Sequence, residues 1–120
     1  MAQRKPYVRM RCVDICGQKY TIYRTRMSEM PDEVGLTLFQ ENEILIREDM
    51  RDEAFEDTLQ HELRHAYWHA SGLGTYFASI TNLHGKKLAE AEETFIRLDT
   101  PACLATWKSA GLLKKRRKGT

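Results

Sequence analysis

The stretch Thr58-Leu-Gln-His-Glu-Leu-Arg-His-Ala66 decides the fold of this 120-residue chain. It lies within a longer segment in which apolar residues recur at intervals of three and four, and no Gly or Pro interrupts that segment before Gly72. Such a period predicts an amphipathic helix of roughly five turns, from about Asp49 to Gly72. Asp49 or Asp52 is expected to cap the start of the helix, and Gly72 is a natural stop.

Short stretches of strand-forming residues precede this helix. Residues 13–25 place β-formers on both sides of Gly17-Gln18, which predicts a hairpin. Residues 35–40 and 43–47 repeat the pattern around Glu41-Asn42, whose side chains suit a turn. We therefore expect three or four short strands in a small antiparallel sheet with one face towards water.

After the helix we expect a loop over residues 73–85 and then a second helix. The predicted buried stripe of this second helix consists of Leu88, Ala91, Phe95, Leu98 and Ala102. Pro101 is expected to break or kink it, with a last short helix over residues 105–113. The predicted fold class is α+β, in which the small sheet packs on the first helix and on a second, glutamate-bearing helix. We expect residues 1–113 to form a single domain and residues 114–120 to form a disordered basic tail.

Length and composition exclude several classes of protein. A chain of 120 residues that is 42% apolar and 30% charged has room for one modest core. Nineteen basic and seventeen acidic residues give a net charge of +2, which is no reason to expect nucleic acid or anionic lipid as a partner. No apolar run approaches the roughly 20 residues of a membrane-spanning helix, and residues 1–12 are too charged for a secretory signal. We therefore expect a soluble, cytoplasmic protein whose three cysteines are reduced thiols.

The first helix carries an HExxH motif, His61-Glu62-Leu63-Arg64-His65. Helical residues four apart differ by about 40° in direction and about 6 Å in rise, so both imidazoles can converge on one ion. Neutral imidazole is a preferred ligand of zinc. Glu62 is displaced by about 60° from His65, which lets its carboxylate approach a metal-bound water rather than the metal. The motif thus predicts a zinc site with Glu62 as general base.

A catalytic zinc site usually has three protein ligands and an open position. His69 continues the spacing of four, but it lies about 12 Å along the helix axis from His61, too far to share one ion. It is expected to cap the end of the helix or to line a cleft. An HExxHxxGxxH arrangement is excluded because Trp68 stands where the glycine belongs. The third ligand must come from the second helix or from His84.

Helical phase favours one glutamate as the third ligand. With the stripe centred on Phe95 buried, Glu92 lies about 60° from Phe95 and Glu93 about 160° away. Glu92 should therefore face the core and Glu93 the solvent. A glutamate on the buried side of a helix is rare unless it is paired or metal-bound. Glu92 is the predicted ligand, with Glu93 the second choice and His84 the third.

Other polar side chains could support such a site. Asp99 could accept a hydrogen bond from the second nitrogen of a ligand histidine, or lie on the surface. Four residues are candidate donors to a developing oxyanion, and the sequence does not choose among them: Tyr67, His69, Tyr76 and His84.

These features resemble a small zinc metallopeptidase of the gluzincin type, as found in bacterial and phage genomes, with HExxH on one helix and a glutamate on the next. The similar stretch covers residues 35–113, and only HExxH is specific. The resemblance implies a minimal zincin-like domain whose site residues are the ligands His61, His65 and Glu92 and the base Glu62. Arg64 replaces the small residue usual inside the motif, and Ile96 stands where an acidic partner of Glu92 would be expected.

The resemblance implies hydrolysis of peptide bonds in a protein or peptide substrate, by a zinc-activated water with Glu62 as general base. An alternative is a catalytically weak or inactive zinc-binding module that acts by binding a partner protein. A third is weak nucleic-acid binding through Lys86-Lys87 and the basic residues 114–118, which we disfavour because short basic tails more often serve solubility.

Overall fold

Residues 7–111 are described by a computed structural model, and they form an α+β fold in which a four-stranded mixed sheet is combined with three helices. The α+β prediction is confirmed. The strands are β1 (Tyr7–Ile15), β2 (Gln18–Thr25), β3 (Gly35–Leu38) and β4 (Glu43–Arg47). The helices are α1 (Asp52–Ala70), α2 (Leu73–Thr81) and α3 (Gly85–Ser109), and a short 3-10 turn occupies Met27–Glu29.

The order of strands in the sheet is β1-β2-β4-β3. Both hairpins are antiparallel as predicted, but β4 pairs with β2 in parallel, so the expectation of a wholly antiparallel sheet is wrong. The reason lies in β4, where Glu43, Ile44, Leu45 and Ile46 are all buried. A strand covered on both faces belongs inside a sheet. The β3–β4 hairpin therefore turns β4 towards β2 and leaves β3 at the edge.

The β1–β2 turn lies one residue earlier than predicted. Its two central residues are Cys16 and Gly17, with φ values of 51° and 83°. Positive φ at both positions is the backbone of the tight turn that suits the twist of a hairpin. The backbone N–H of Gly17 donates to Oδ1 of Asp14 at 2.8 Å, which closes the turn.

The core lies between the sheet and one face of α1. Ile22, Ile44, Ile46 and Ala66 are each at most 2% exposed. Partly buried side chains of α1 pack against this cluster: Phe55, Leu59, Leu63 and Ala70. The predicted helix is thus confirmed, together with its apolar face.

The capping prediction for α1 is wrong. The helix begins at Asp52 without a side-chain cap, since the residue before it is Arg51. Asp49 instead forms a bidentate ion pair with Arg47 at 2.7 and 3.0 Å. At the other end Gly72, with φ of 82°, stops the helix as predicted.

Residues 73–81 form helix α2 where a loop was predicted. The backbone of Gly74 lies against the indole of Trp68 and leaves no room for a Cβ there. Phe77 contacts the same indole from α2, with ring centroids 5.4 Å apart. A helix of nine residues is marginal in isolation and depends on packing against the rest of the protein. Because the contact with Trp68 is tertiary, the local pattern of residues 73–81 does not predict this helix.

Helix α3 is continuous through Pro101, and the predicted stripe on it is wrong. Phe95 is 49% and Leu98 is 72% exposed. The buried residues instead follow a spacing of four: Glu92, Ile96, Thr100 and Leu104. Proline removes one backbone hydrogen bond, but buried side chains on both sides of Pro101 keep the helix in place.

The predicted basic tail, residues 114–120, and the end of the predicted domain at residue 113 lie outside the described residues. Over residues 7–111 we find no helix of the length and apolar character needed to cross a membrane. Cys12, Cys16 and Cys103 are free thiols, as predicted.

Candidate metal centre

The face of α1 towards the edge strand β3 and helix α3 carries the two histidines of the motif. Their rings are 4.9 Å apart between centroids and meet at 66°, and their Nε2 atoms are 3.3 Å apart. The spacing of four and the helical rise produce this convergence. His61 and His65 are thus brought together as the sequence predicted.

Helix α3 adds a carboxylate to the two imidazoles. Oε1 of Glu93 lies 3.0 Å from Nε2 of His61, and Oε2 lies 2.8 Å from Nε2 of His65. One ligand atom from each of His61, His65 and Glu93 lies within 4.8 Å of the other two. This His–Glu cluster could hold a metal ion, because imidazole nitrogen and carboxylate oxygen are both common ligands.

Glu92, the predicted third ligand, lies on the other side of His65. It is buried as predicted, but its Oε2 is 2.6 Å from Nδ1 of His65 and its Oε1 is 3.2 Å from Nε2 of His69. Two successive glutamates therefore reach the two nitrogens of one imidazole. The residues that could hold a metal ion thus include Glu93 rather than the predicted Glu92, because the buried carboxylate of Glu92 is paired with Nδ1 of His65 and Nε2 of His69.

The edge strand β3 places Glu62 beside the cluster. Oγ1 of Thr37 donates to Oε1 of Glu62 at 2.7 Å, and the backbone oxygen of the same residue, 3.1 Å from Oγ1, shares the single hydroxyl proton. Gly35 permits the close approach of β3 to α1, since a Cβ there would lie 2.7 Å from Cγ2 of Thr58 and 3.0 Å from Oε2 of Glu62. Glu62 is thereby held in one orientation, and nothing in its own motif predicts Thr37 or Gly35 as its neighbours.

Burial raises the pKa of Glu62 above its ordinary value, although the hydrogen bond from Thr37 and the nearby His65 and His61 act in the opposite direction. Removal from water disfavours the charged form of a carboxyl group. A carboxyl group with a raised pKa can exchange a proton closer to neutral pH, as a general base and acid must.

Electrostatics also couple the two helices within the cluster. Burial tends to lower the pKa of His65, but the hydrogen bond to Glu92 and the charges of Glu62, Glu93 and Glu92 outweigh it and raise this pKa. The pKa of Glu93 is lowered, because His65, His61 and Arg97 together outweigh the effect of its burial. Without a metal, the two helices are thus attracted by histidine–carboxylate pairs.

An open pocket of about 860 Å³ lies over the cluster, bounded by β3, α1 and the first half of α3. Its apolar lining includes Leu36, Phe39 and Leu88, and the cluster residues and Glu62 line it as well. Arg97 lies at its margin, with Nε 3.2 Å from Oε1 of Glu93. The pocket therefore gives a ligand from solvent direct access to the cluster.

The remaining predicted site residues differ in whether they lie near the His–Glu cluster. His69 lines the pocket, which is one of the two roles that the sequence predicts for it. His84 is exposed just before α3 and is not part of the cluster. Tyr67 and Tyr76 are 57% and 63% exposed and do not line the pocket.

Asp99 does not contact a ligand histidine in the way the sequence suggested. Its Oδ2 lies 3.5 Å from Nη1 of Arg64, and its Oδ1 accepts a hydrogen bond from the thiol of Cys103 at 3.3 Å. The guanidinium of Arg64 also lies 5.3 Å from the ring centre of Trp107. Arg64, the unusual residue inside the motif, thus connects α1 to α3.

Comparisons with known protein families, with curated proteins and with solved structures find no match to this chain.

Proposed function

We propose that this chain is a zinc-dependent metallopeptidase. The observation that carries the proposal is the convergence of His61, His65 and Glu93 within 4.8 Å, beside a buried Glu62 and under an open pocket. Two histidines and one glutamate leave one position of a four-coordinate ion open, which is the arrangement of a catalytic rather than a structural zinc site.

Distances within the His–Glu cluster are compatible with a tetrahedral zinc ion. Ligand atoms about 2.0–2.1 Å from a tetrahedral zinc ion are about 3.3 Å from one another. The two Nε2 atoms are 3.3 Å apart, and the carboxylate oxygens of Glu93 lie 2.8 and 3.0 Å from them. Little movement of side chains is needed to accommodate the ion.

In this proposal His61, His65 and Glu93 would hold the zinc, and Glu62 would transfer protons. Zinc held there supplies a Lewis acid that polarises a substrate carbonyl and activates water. Glu62 accepts the proton of the attacking water and delivers it to the leaving amine. The hydroxyl of Thr37 fixes one oxygen of Glu62 and leaves the other available for this transfer.

The test measures zinc content and hydrolysis of unfolded casein in parallel. Glu62→Gln should bind one zinc ion per chain and lose at least about 100-fold in rate, the usual contribution of a positioned general base. His61→Ala should lose both properties. Glu53→Gln, an exposed position in the first turn of the same helix, is the matched control and should change neither. Hydrolysis retained by Glu62→Gln would contradict the mechanism.

A second candidate is a zinc-binding module that acts by binding a partner protein. Two large apolar side chains one turn apart on α2 favour it, because Tyr76 is 63% and Ile80 is 62% exposed. Exposed apolar groups on a small domain often mark a contact surface when they form a patch. Stoichiometric zinc in the wild-type protein, without hydrolysis of casein, would favour this candidate over the peptidase.

A further inference from the structure

The carboxylate of Glu92 is shared by two imidazoles. Its Oε2 lies 2.6 Å from Nδ1 of His65, and its Oε1 lies 3.2 Å from Nε2 of His69. An ionised carboxylate only accepts hydrogen bonds, so each of these ring nitrogens is assigned as the N–H donor. Glu92 is only 9% exposed. A carboxylate so buried is costly unless hydrogen bonds satisfy its oxygens, and each oxygen here has a separate donor.

His69 is itself held in place. Its ring packs on Phe39, with ring centroids 3.7 Å apart and an angle of 35° between the planes. Phe39 follows directly after β3, so this contact connects the edge strand to the last turn of α1. Between Phe39 and Glu92, the imidazole of His69 has a defined orientation even though 44% of its side chain is exposed.

We propose that His69 is a positioning residue for the metal centre. By donating to Oε1 of Glu92, it holds the other oxygen on Nδ1–H of His65. A neutral imidazole carries one N–H, so a proton kept on Nδ1 leaves Nε2 with a free lone pair for the ion. This inference depends on the part of the proposed function that places a metal at the His–Glu cluster, and it does not depend on hydrolysis.

Loss of His69 would leave Oε1 of Glu92 without a donor at a buried position. The carboxylate could then rotate away from His65, and His65 could adopt the tautomer with its proton on Nε2, which leaves no lone pair on Nε2 for the ion. Removal of outer partners of this kind typically costs 10–100-fold in metal affinity. We expect a loss near the lower end, about 10-fold, because His69 acts through an intermediate residue.

The experiment measures zinc affinity of the full chain by competition with a chromogenic chelator, with no substrate present. His69→Gln retains an N–H donor, whereas His69→Met has a similar length and no donor. His69→Met should weaken zinc binding about 10-fold, and His69→Gln should stay within about 3-fold of wild type. Tyr67→Leu, an exposed position two residues away on α1, is the control and should not change the affinity.

A double-mutant cycle tests whether His69 affects zinc affinity through its contact with Glu92. In a Glu92→Ala background, His69→Met should have little further effect on zinc affinity, because its partner is already absent. Equal affinities of His69→Gln and His69→Met would overturn the proposal. So would a loss from His69→Met that is the same with and without Glu92.

The outcome also separates this proposal from the peptidase. A chain that binds zinc with the expected differences but hydrolyses nothing would reject the peptidase and support the role of His69. Normal hydrolysis with no effect of His69→Met on zinc affinity would do the reverse. A wild-type chain that binds no zinc would overturn both.

Discussion

The two faces of α1 have opposite chemistry. The face against the sheet meets apolar residues such as Ile22, Ile44 and Ile46, none more than 2% exposed. The face towards β3 and α3 carries ionisable side chains, among them Glu62 at 7% exposure beside His61 and His65. Apolar burial stabilises the fold, whereas burial of carboxylates is unfavourable unless they are paired. One face therefore supplies the stability that lets the other face hold reactive groups.

The largest expected effect concerns the apolar face. Ile44→Ala should lower the free energy of unfolding by about 2–5 kcal/mol, because Ile44 is fully buried and its truncation leaves a cavity. Urea denaturation of the metal-free protein measures it. Val8→Ala, at a side chain 70% exposed on β1, should change stability by no more than about 0.5 kcal/mol. Similar losses in the two variants would remove the basis for treating this face as the core.

The second-largest expected effect is on zinc affinity, and it concerns Glu92 and Glu93, which contact the polar face of α1. Glu93→Ala should weaken zinc binding by more than about 100-fold, since it removes a ligand, whereas Glu92→Ala should cost about 10–100-fold as the loss of an outer partner. Isothermal titration with zinc measures both affinities. A larger loss in Glu92→Ala than in Glu93→Ala would restore the ligand that helical phase predicted and contradict the ligand set of the His–Glu cluster.

The smallest effect is a gain in stability with a defined pH dependence. The pKa of Glu62 is raised in the folded protein, mainly by burial. A carboxyl group whose pKa is higher in the folded than in the unfolded protein favours the folded state fully at pH values below the unfolded-state pKa. That contribution to the free energy of unfolding is lost as the pH rises through the folded-state pKa. In the metal-free protein, Glu62→Gln should therefore melt at the same temperature as wild type near pH 4 and about 2–5 °C higher at neutral pH.

Thermal melts from pH 4 to pH 8, with chelator present, measure this difference. Glu53→Gln, exposed on the same helix, should follow the wild type throughout. A Glu62→Gln protein that is less stable than wild type at neutral pH would indicate that the hydrogen bond from Thr37 outweighs the cost of burying the charge.

Much of the fold could be read from local patterns. The period of apolar residues predicted α1, and alternation of strand-forming residues predicted both hairpins, because each pattern reports which side of one element is buried. The apolar run Ile44-Leu45-Ile46 is also typical of a central strand, but the hairpin pattern alone does not indicate which of its two strands lies inside the sheet. Helix α2 could not be read in this way, since Gly74 and Phe77 are held by contact with Trp68 on another helix.

The sequence by itself determined that His61 and His65 converge and that Glu62 lies beside them, because the three residues lie within five consecutive positions of one helix, whose geometry fixes their relative positions. Only the tertiary structure decided that Glu93 contacts the Nε2 atoms of His61 and His65, while Glu92 contacts Nδ1 of His65. Successive residues on a helix point about 100° apart. Which nitrogen of His65 each glutamate contacts depends on how α3 is rotated and tilted against α1, and that is set by the packing of whole helices rather than by any local pattern.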